Sequence, residues 1–145
     1  MSDQIGGLTG VLIWTTPERF RAVRDFYVET LGLTPRHYGV VTLHRPSNVD
    51  DPATLIELVK TLRSFSEELP LVFAVHPRTR ASAERAGIGA LLEPGQAKFI
   101  CIGPQPYIEN LSLVSEAAVV FTDSGGLQEE TSVLGVPCIT MRENT

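Results

Sequence analysis

The sequence predicts an α/β protein built on a doubly wound parallel sheet, and three observations carry that prediction. Five short apolar runs, at 39–43, 71–75, 99–102, 117–121 and 136–141, read as strands buried on both faces. Segments with apolar residues at helical spacing separate them, which is the βαβ alternation of a parallel sheet. Polar phrases bearing Gly or Pro follow the strand ends, where the ligand crevice of an open parallel sheet lies. Right-handed crossovers then place the five strands in the spatial order 3-2-1-4-5.

Taken in order, Met1–Gly7 is a polar, frayed start. Val11-Leu12-Ile13-Trp14 reads as a short strand that adds to a sheet edge or docks alone. Thr16-Pro17-Glu18 opens a helix, Thr as cap and Pro at the first helical position, with Phe20, Val23, Tyr27 and Leu31 on one face and Gly32 as stop. Phe26 and Tyr27 are expected in the core. Gly39–Leu43 is a strand ending at His44-Arg45-Pro46-Ser47-Asn48. Asp51-Pro52 opens a helix whose Leu55, Leu58, Val59, Leu62, Phe65 and Leu69 share a face, and Pro70 closes it. Leu71–Val75 is a strand running into His76-Pro77-Arg78, followed by a weaker helix over 79–86. Phe99–Ile102 is a strand leading to Gly103-Pro104-Gln105-Pro106-Tyr107, and Ile108, Leu111 and Val114 mark the next helix. The chain shows neither internal repeats nor low-complexity tracts.

The stretch Ala117–Gly135 organises the rest. A buried strand runs through Thr122-Asp123-Ser124-Gly125-Gly126 into a helix closed by Gly135 and Pro137. A helix start leaves N–H groups without intrahelical acceptors, and the helix dipole adds positive potential there, so the turn suits an anion. Two glycines would let a phosphate approach the backbone closely. The plainer reading is an ordinary βα turn in which Ser124 only caps the helix.

The 145 residues amount to one domain, and 43% hydrophobic with 20% charged residues is a globular composition. No apolar run approaches the roughly 20 residues of a membrane span, and the N-terminus lacks a signal-peptide pattern, so the expectation is a cytoplasmic protein with no membrane partner. Cys101 and Cys138 lie in or beside apolar runs and read as buried thiols of a reducing compartment; the spacing of potential ligands suggests no metal. Residues 1–37 hold four basic and four acidic side chains, and the rest holds 8 − 13 = −5. That balance argues against non-specific nucleic-acid binding, which needs clustered Lys and Arg. Polar residues gather after the strands at His44, Arg45, His76, Arg78, Gln105, Asp123, Ser124 and Arg142. Two His-bearing turns after consecutive strands, near an anion-competent turn, point to a pocket.

Two resemblances follow from quoted residues. Gly10–Arg36, with Phe26-Tyr27 followed by Leu31-Gly32-Leu33, resembles the opening βα unit of the glyoxalase (vicinal oxygen chelate) family over about 9–36. The His or Gln that would ligate a metal in that family's first strand is missing. Val41–Asn48, then Val75-His76-Pro77-Arg78, Thr122–Glu130 and Met141–Thr145 resemble the non-hydrolysing UDP-N-acetylglucosamine 2-epimerases over about 38–145, in that family's order and spacing.

The second resemblance implies half of a two-domain, glycosyltransferase-B-like fold: a Rossmann-like UDP-binding domain at 38–145, preceded by the glyoxalase-like segment at 1–37. It implies interconversion of UDP-GlcNAc and UDP-ManNAc by elimination and re-addition of UDP, with no cofactor. Ser124, Gly125 and Gly126 would cradle the diphosphate, Glu130 would accept from the ribose hydroxyls, and Gln105 would lie by the uracil. The family carries an apolar or aromatic residue near Asn110. His44 would face the diphosphate or sugar as the catalytic group; Arg45, His76, Arg78, Asp123 and Arg142 would be pocket residues, with His76 in the wall and Asp123 forming the turn. The family continues past Thr145 into Glu-Arg-Pro, whose Arg contacts the nucleotide, and its acid and base at the sugar C2 belong to an N-terminal domain. The chain therefore reads as part of an epimerase, joined near Arg36–Tyr38 to an unrelated piece and inactive alone, with UDP or UDP-GlcNAc as partner and a homo-oligomer left open. A nucleotide-sugar glycosyltransferase half-domain and a non-catalytic recombined scaffold are the alternatives, and the His44–Asn48 phrase favours the epimerase.

Overall fold

The computed structural model describes residues 17–141. The expected strand at 11–14, the Thr16 cap and Arg142 lie outside them. The elements in order are α1 (Pro17–Thr30), β1 (Gly39–Thr42), α2 (Pro46–Val49), α3 (Pro52–Ser66), β2 (Leu71–Ala74), α4 (Pro77–Arg85), a 3₁₀ turn (Gly89–Leu92), β3 (Phe99–Ile102), α5 (Tyr107–Ser115), β4 (Val119–Thr122), α6 (Gly125–Leu134) and β5 (Cys138–Thr140).

The five strands form one sheet in the order β3-β2-β1-β4-β5, every neighbouring pair parallel. This is the order expected from the sequence. Successive strand residues face opposite layers: Val40, Val72 and Val120 pack with Phe20 and Val28 of α1, Leu111 and Val114 of α5 and Leu127 and Leu134 of α6. Val41, Phe73, Cys101 and Phe121 pack with Leu55, Val59 and Leu62 of α3 and Ala83 of α4. Strands covered on both faces have no polar side to show, which is why their sequences are apolar throughout.

At β1 the packing depends on one glycine. A Cβ on Gly39 would sit 2.7 Å from Leu71 Cδ2 and 3.2 Å from Val119 Cγ1, so a side chain at residue 39 would require buried Leu71 and neighbouring Val119 to shift. The α6 helix ends as its sequence predicts: Gly135 takes φ 72°, and the Val136 N–H donates to Thr131 O at 2.9 Å.

Several expectations shift. Phe26 is 63% exposed, not core. The buried stripe of α1 runs through Phe20, Arg24 and Val28, and at 100° per residue Phe26 falls well off it. The Tyr27 side chain lies outside what is described. Cys101 is buried, but Cys138, on the edge strand, is only half-buried; both are free thiols. The α3 helix stops at Ser66 rather than at Pro70, and β4 begins two residues after Ala117. The helix placed over 79–86 starts at Pro77, and the His44–Asn48 phrase contains one turn of helix.

The α1 helix is tied to the end of α5 by charge as well as by packing. Buried Glu116 accepts from Arg24 at 3.2 Å and pairs with Arg36 at 3.7 Å. The Arg36 N–H donates to Glu116 O at 2.7 Å, and Tyr38 Oη donates to Leu113 O. Burial, reinforced by the Glu116 charge, pushes the Tyr38 phenol well above the ordinary tyrosine range.

Candidate functional site

The strand order reverses between β1 and β4, so the chain leaves their ends toward opposite layers and a crevice opens there. Both loops that line it come from phrases singled out in the sequence: His44–Asn48 after β1, and Asp123–Gly126 after β4.

Asp123 joins them. Its side chain is fully buried, and its carboxylate accepts from the His44 N–H (3.0 Å to Oδ2), the Arg45 N–H (2.8 Å) and Asn48 Nδ2 (3.0 Å). His44 Nδ1 lies 3.3 Å from Oδ1, and Arg45 Nε donates to Asp123 O at 2.8 Å. Asn48, itself buried, also donates to Met141 O at 2.6 Å, which draws the end of β5 into the same network. A buried carboxylate is tolerated when donors surround it in this way. Asp123 was expected as a turn former or pocket residue; it faces the His44 loop and organises it from inside. Below it, Thr42 Oγ1 and Thr122 Oγ1 are 2.6 Å apart, and the Ser124 N–H donates to Thr122 Oγ1 at 3.0 Å.

Ser124 is the N-cap of α6, its Oγ accepting from the Leu127 N–H at 3.3 Å. Gly125 and Gly126 are exposed and occupy the first two helical positions, where N–H groups have no intrahelical acceptor. A Cβ at Gly126 would meet only Ser124 Oγ, at 3.9 Å: the space over this turn is open. Arg45, held by its Nε on the turn's own carbonyl, carries a guanidinium beside the helix start. The cap and the anion-competent helix start thus coexist at the same turn.

Beyond the network lies a cleft of about 170 Å³ lined by Thr42, Leu43, His44, Ala74, His76, Pro104, Gln105 and Asn110. The ends of β1, β2 and β3 therefore converge on one pocket, as the gathering of polar residues there suggested. His76 is exposed and caps α4, its Nδ1 accepting from the Arg78 N–H at 3.1 Å. Gln105 Nε2 donates to Gly103 O at 2.8 Å, and its carbonyl oxygen has no partner among the described residues. Arg78 is not in the pocket lining; it forms a two-point ion pair with Asp50, Nε to Oδ1 at 3.1 Å and Nη2 to Oδ2. That guanidinium holds the Asp50 carboxyl below the usual carboxylate range. Glu130 lies half-buried on the second turn of α6. Sequence reasoning did not assign Asn48 or Asn110 a place in the site. Nothing in a 145-residue string marks a lone Asn as bonded to a carboxylate 75 positions away.

Among the described residues no group of three or more His, Cys, Asp or Glu is placed to hold a metal ion, and no helix is long and apolar enough to cross a membrane.

Comparison with known proteins places these features. The family model described as UDP-N-acetylglucosamine 2-epimerase matches residues 13–145. A UDP-N-acetylglucosamine 2-epimerase of Methanococcus maripaludis is 42% identical over 110 residues, 74% of this chain and 30% of that protein. A UDP-2,3-diacetamido-2,3-dideoxy-D-glucuronate 2-epimerase of Pseudomonas aeruginosa is 38% identical over 107 residues, 73% of this chain and 28% of that protein. The crystal structure of Methanocaldococcus jannaschii UDP-GlcNAc 2-epimerase in complex with UDP-GlcNAc and UDP matches with a TM-score of 0.79 and 33% identity, over 96% of this chain and 37% of that one. The chain spans about a third of the length of these relatives. The family match also takes in residues 13–36, the greater part of the segment that resembles a glyoxalase unit.

Proposed function

Since the chain belongs to the UDP-N-acetylglucosamine 2-epimerase family, we propose that it forms the UDP-holding half of a nucleotide-sugar 2-epimerase site. The observation that carries this is the Asp123 network. It sets a His-bearing loop and an uncovered, glycine-bearing helix start side by side at the sheet's switch point. One loop is suited to proton transfer and the other to a diphosphate.

In this reading the Gly125 and Gly126 N–H groups and Ser124 hold the diphosphate, and Arg45 supplies positive charge beside them. Glu130 accepts from the ribose hydroxyls and Gln105 meets the uracil at the far wall of the cleft. His44 stands at the leaving diphosphate, while His76 shapes the wall. Arg78 acts through its pair with Asp50, bracing the turns after β1 and β2. The two relatives named above share a UDP-linked 2-acetamido sugar and chemistry at C2. We therefore assign the shared part, UDP, to this half, and the reading of the sugar's other substituents to residues outside it. The acid and base at C2 lie outside it too, so the chain alone holds nucleotide without epimerising it. A charged nucleotide sugar as substrate, with two unpaired thiols, fits a cytoplasmic setting.

For residues 17–36 we favour membership of the same unit over an unrelated glyoxalase-like piece. The family match from residue 13 and the Arg24–Glu116–Arg36 tie support it.

Amide chemical shifts recorded during a UDP titration test the assignment. The reading expects the largest changes at 124–127, with smaller ones at His44 and Gln105. Changes confined to other surfaces would reject it.

A further inference from the structure

We propose that Asp123 is a positioning residue for His44, fixing the imidazole as the Nδ1–H tautomer so that the ring presents an unprotonated Nε2 to the cleft. The inference rests on the reading of His44 as the group beside the leaving diphosphate.

The geometry is specific. Asp123 Oδ1 lies 3.3 Å from His44 Nδ1, and a negative carboxylate that close repels a lone pair and attracts an N–H dipole, so it favours the neutral ring with its hydrogen on Nδ1. The same carboxylate takes the backbone N–H groups of His44 and Arg45 at 3.0 and 2.8 Å, so the main chain that carries the ring is pinned along with it. Thr79 Oγ1 fixes the preceding peptide by donating to Leu43 O at 2.9 Å, and Asn48 fixes the loop's far end. His44 Nε2 has no protein partner among the described residues, and His44 lines the cleft. The Asp123 side chain is fully buried, so it acts on the imidazole and not on a ligand.

His76 supplies an internal contrast. Its Nδ1 accepts from the Arg78 N–H, which leaves the proton on Nε2. Two imidazoles therefore line one cleft in opposite tautomers: His44 offers a lone pair, able to receive a proton, and His76 offers an N–H. Asp123 also immediately precedes the Ser124 cap, so whatever moves the anion-binding turn moves the group that orients His44.

The chain labelled with ¹⁵N-histidine tests this by long-range proton–nitrogen correlation in alkaline buffer, where imidazoles are neutral. His37, His44 and His76 are assigned from His→Gln variants. The proposal expects the Nδ1–H pattern for His44 and the Nε2–H pattern for His76. An Nε2–H pattern for His44 in the folded protein overturns it. Asp123→Asn is expected to remove the Nδ1–H pattern from His44, leave His76 unchanged and weaken UDP binding about tenfold, the scale on which an orienting partner acts. Retention of the pattern in folded D123N overturns the proposal, and if D123N does not fold, the unsubstituted chain decides alone. The tautomer is read without ligand, so failure of UDP to bind strikes the functional reading and leaves this inference to its own result.

Discussion

Substitution at Gly126 separates binding from folding. A Cβ at this position meets only Ser124 Oγ at 3.9 Å, and the residue does not use the left-handed region, so the fold accepts alanine here. Within the first turn of α6, Gly→Ala removes freedom from the unfolded chain, and stability is expected to rise by about 0.4–1 kcal/mol. Valine, stiffer in a helix, should return part of that gain. The same methyl groups stand where a phosphate would approach the Gly125 and Gly126 N–H groups. Losing one charge-assisted hydrogen bond costs about 1.5–3 kcal/mol, roughly 10–150-fold in affinity. Starting from a Kd of about 0.1–1 mM, near −5 kcal/mol, Gly126→Val should raise the Kd for UDP to about 1 mM at the least and to about 100 mM at the most. The assay pairs thermal melts with calorimetric titration of UDP, and Gly125→Val is expected to weaken binding likewise. A Gly126→Val protein that melts no lower than the unsubstituted chain yet binds UDP as well would refute the diphosphate assignment.

Further outcomes follow from the same contacts. Burial pushes the Cys101 thiol from 9.0 up to about 11, so the unfolded chain ionises first as pH rises. Stability is therefore lost between about pH 9 and 11, by at most about 2–3 kcal/mol, and Cys101→Ala should flatten that limb of a pH series of denaturant melts. Gly39→Ala forces a methyl group against buried Leu71 and should cost about 1–3 kcal/mol in the same melts; an unchanged midpoint would show that β1 has room to spare. The chain alone should not exchange the proton at C2 of UDP-GlcNAc in deuterated buffer, because neither Asp123, buried under the His44 loop, nor Glu130, on the second turn of α6, is placed as a base for the sugar. Deuterium at C2 that disappears in His44→Asn would show that this half is catalytic.

What the sequence made legible was the part written locally. The bounds of β3, the Ser124 cap, the Gly135 stop and the parallel order all follow from periodicity, turn chemistry and crossover handedness. What it concealed was set by contacts distant in the chain. An Asp after a strand looks like a turn former; that it holds residues 44, 45 and 48 becomes visible only when β1 and β4 lie side by side. His76 reads as a pocket residue because it follows a strand, and it does line the cleft; that its Nδ1 also caps α4 shows only in the folded turn. Arg78 was counted toward the pocket, but Asp50, 28 residues earlier, takes its guanidinium. Phe26 shows the reverse error: a familiar aromatic pair suggested core, while the helical angle from Phe20 already pointed outward.

The account stands or falls on whether this chain holds UDP at the start of α6. Isothermal calorimetry with UDP, run beside uridine and inorganic diphosphate, is the most direct measurement. UDP should give saturable heat with a Kd of about 0.1–1 mM, either part alone should bind more weakly, and Gly126→Val should weaken UDP binding at least about tenfold. No heat at several millimolar UDP, from a chain whose melt shows it folded, would contradict it.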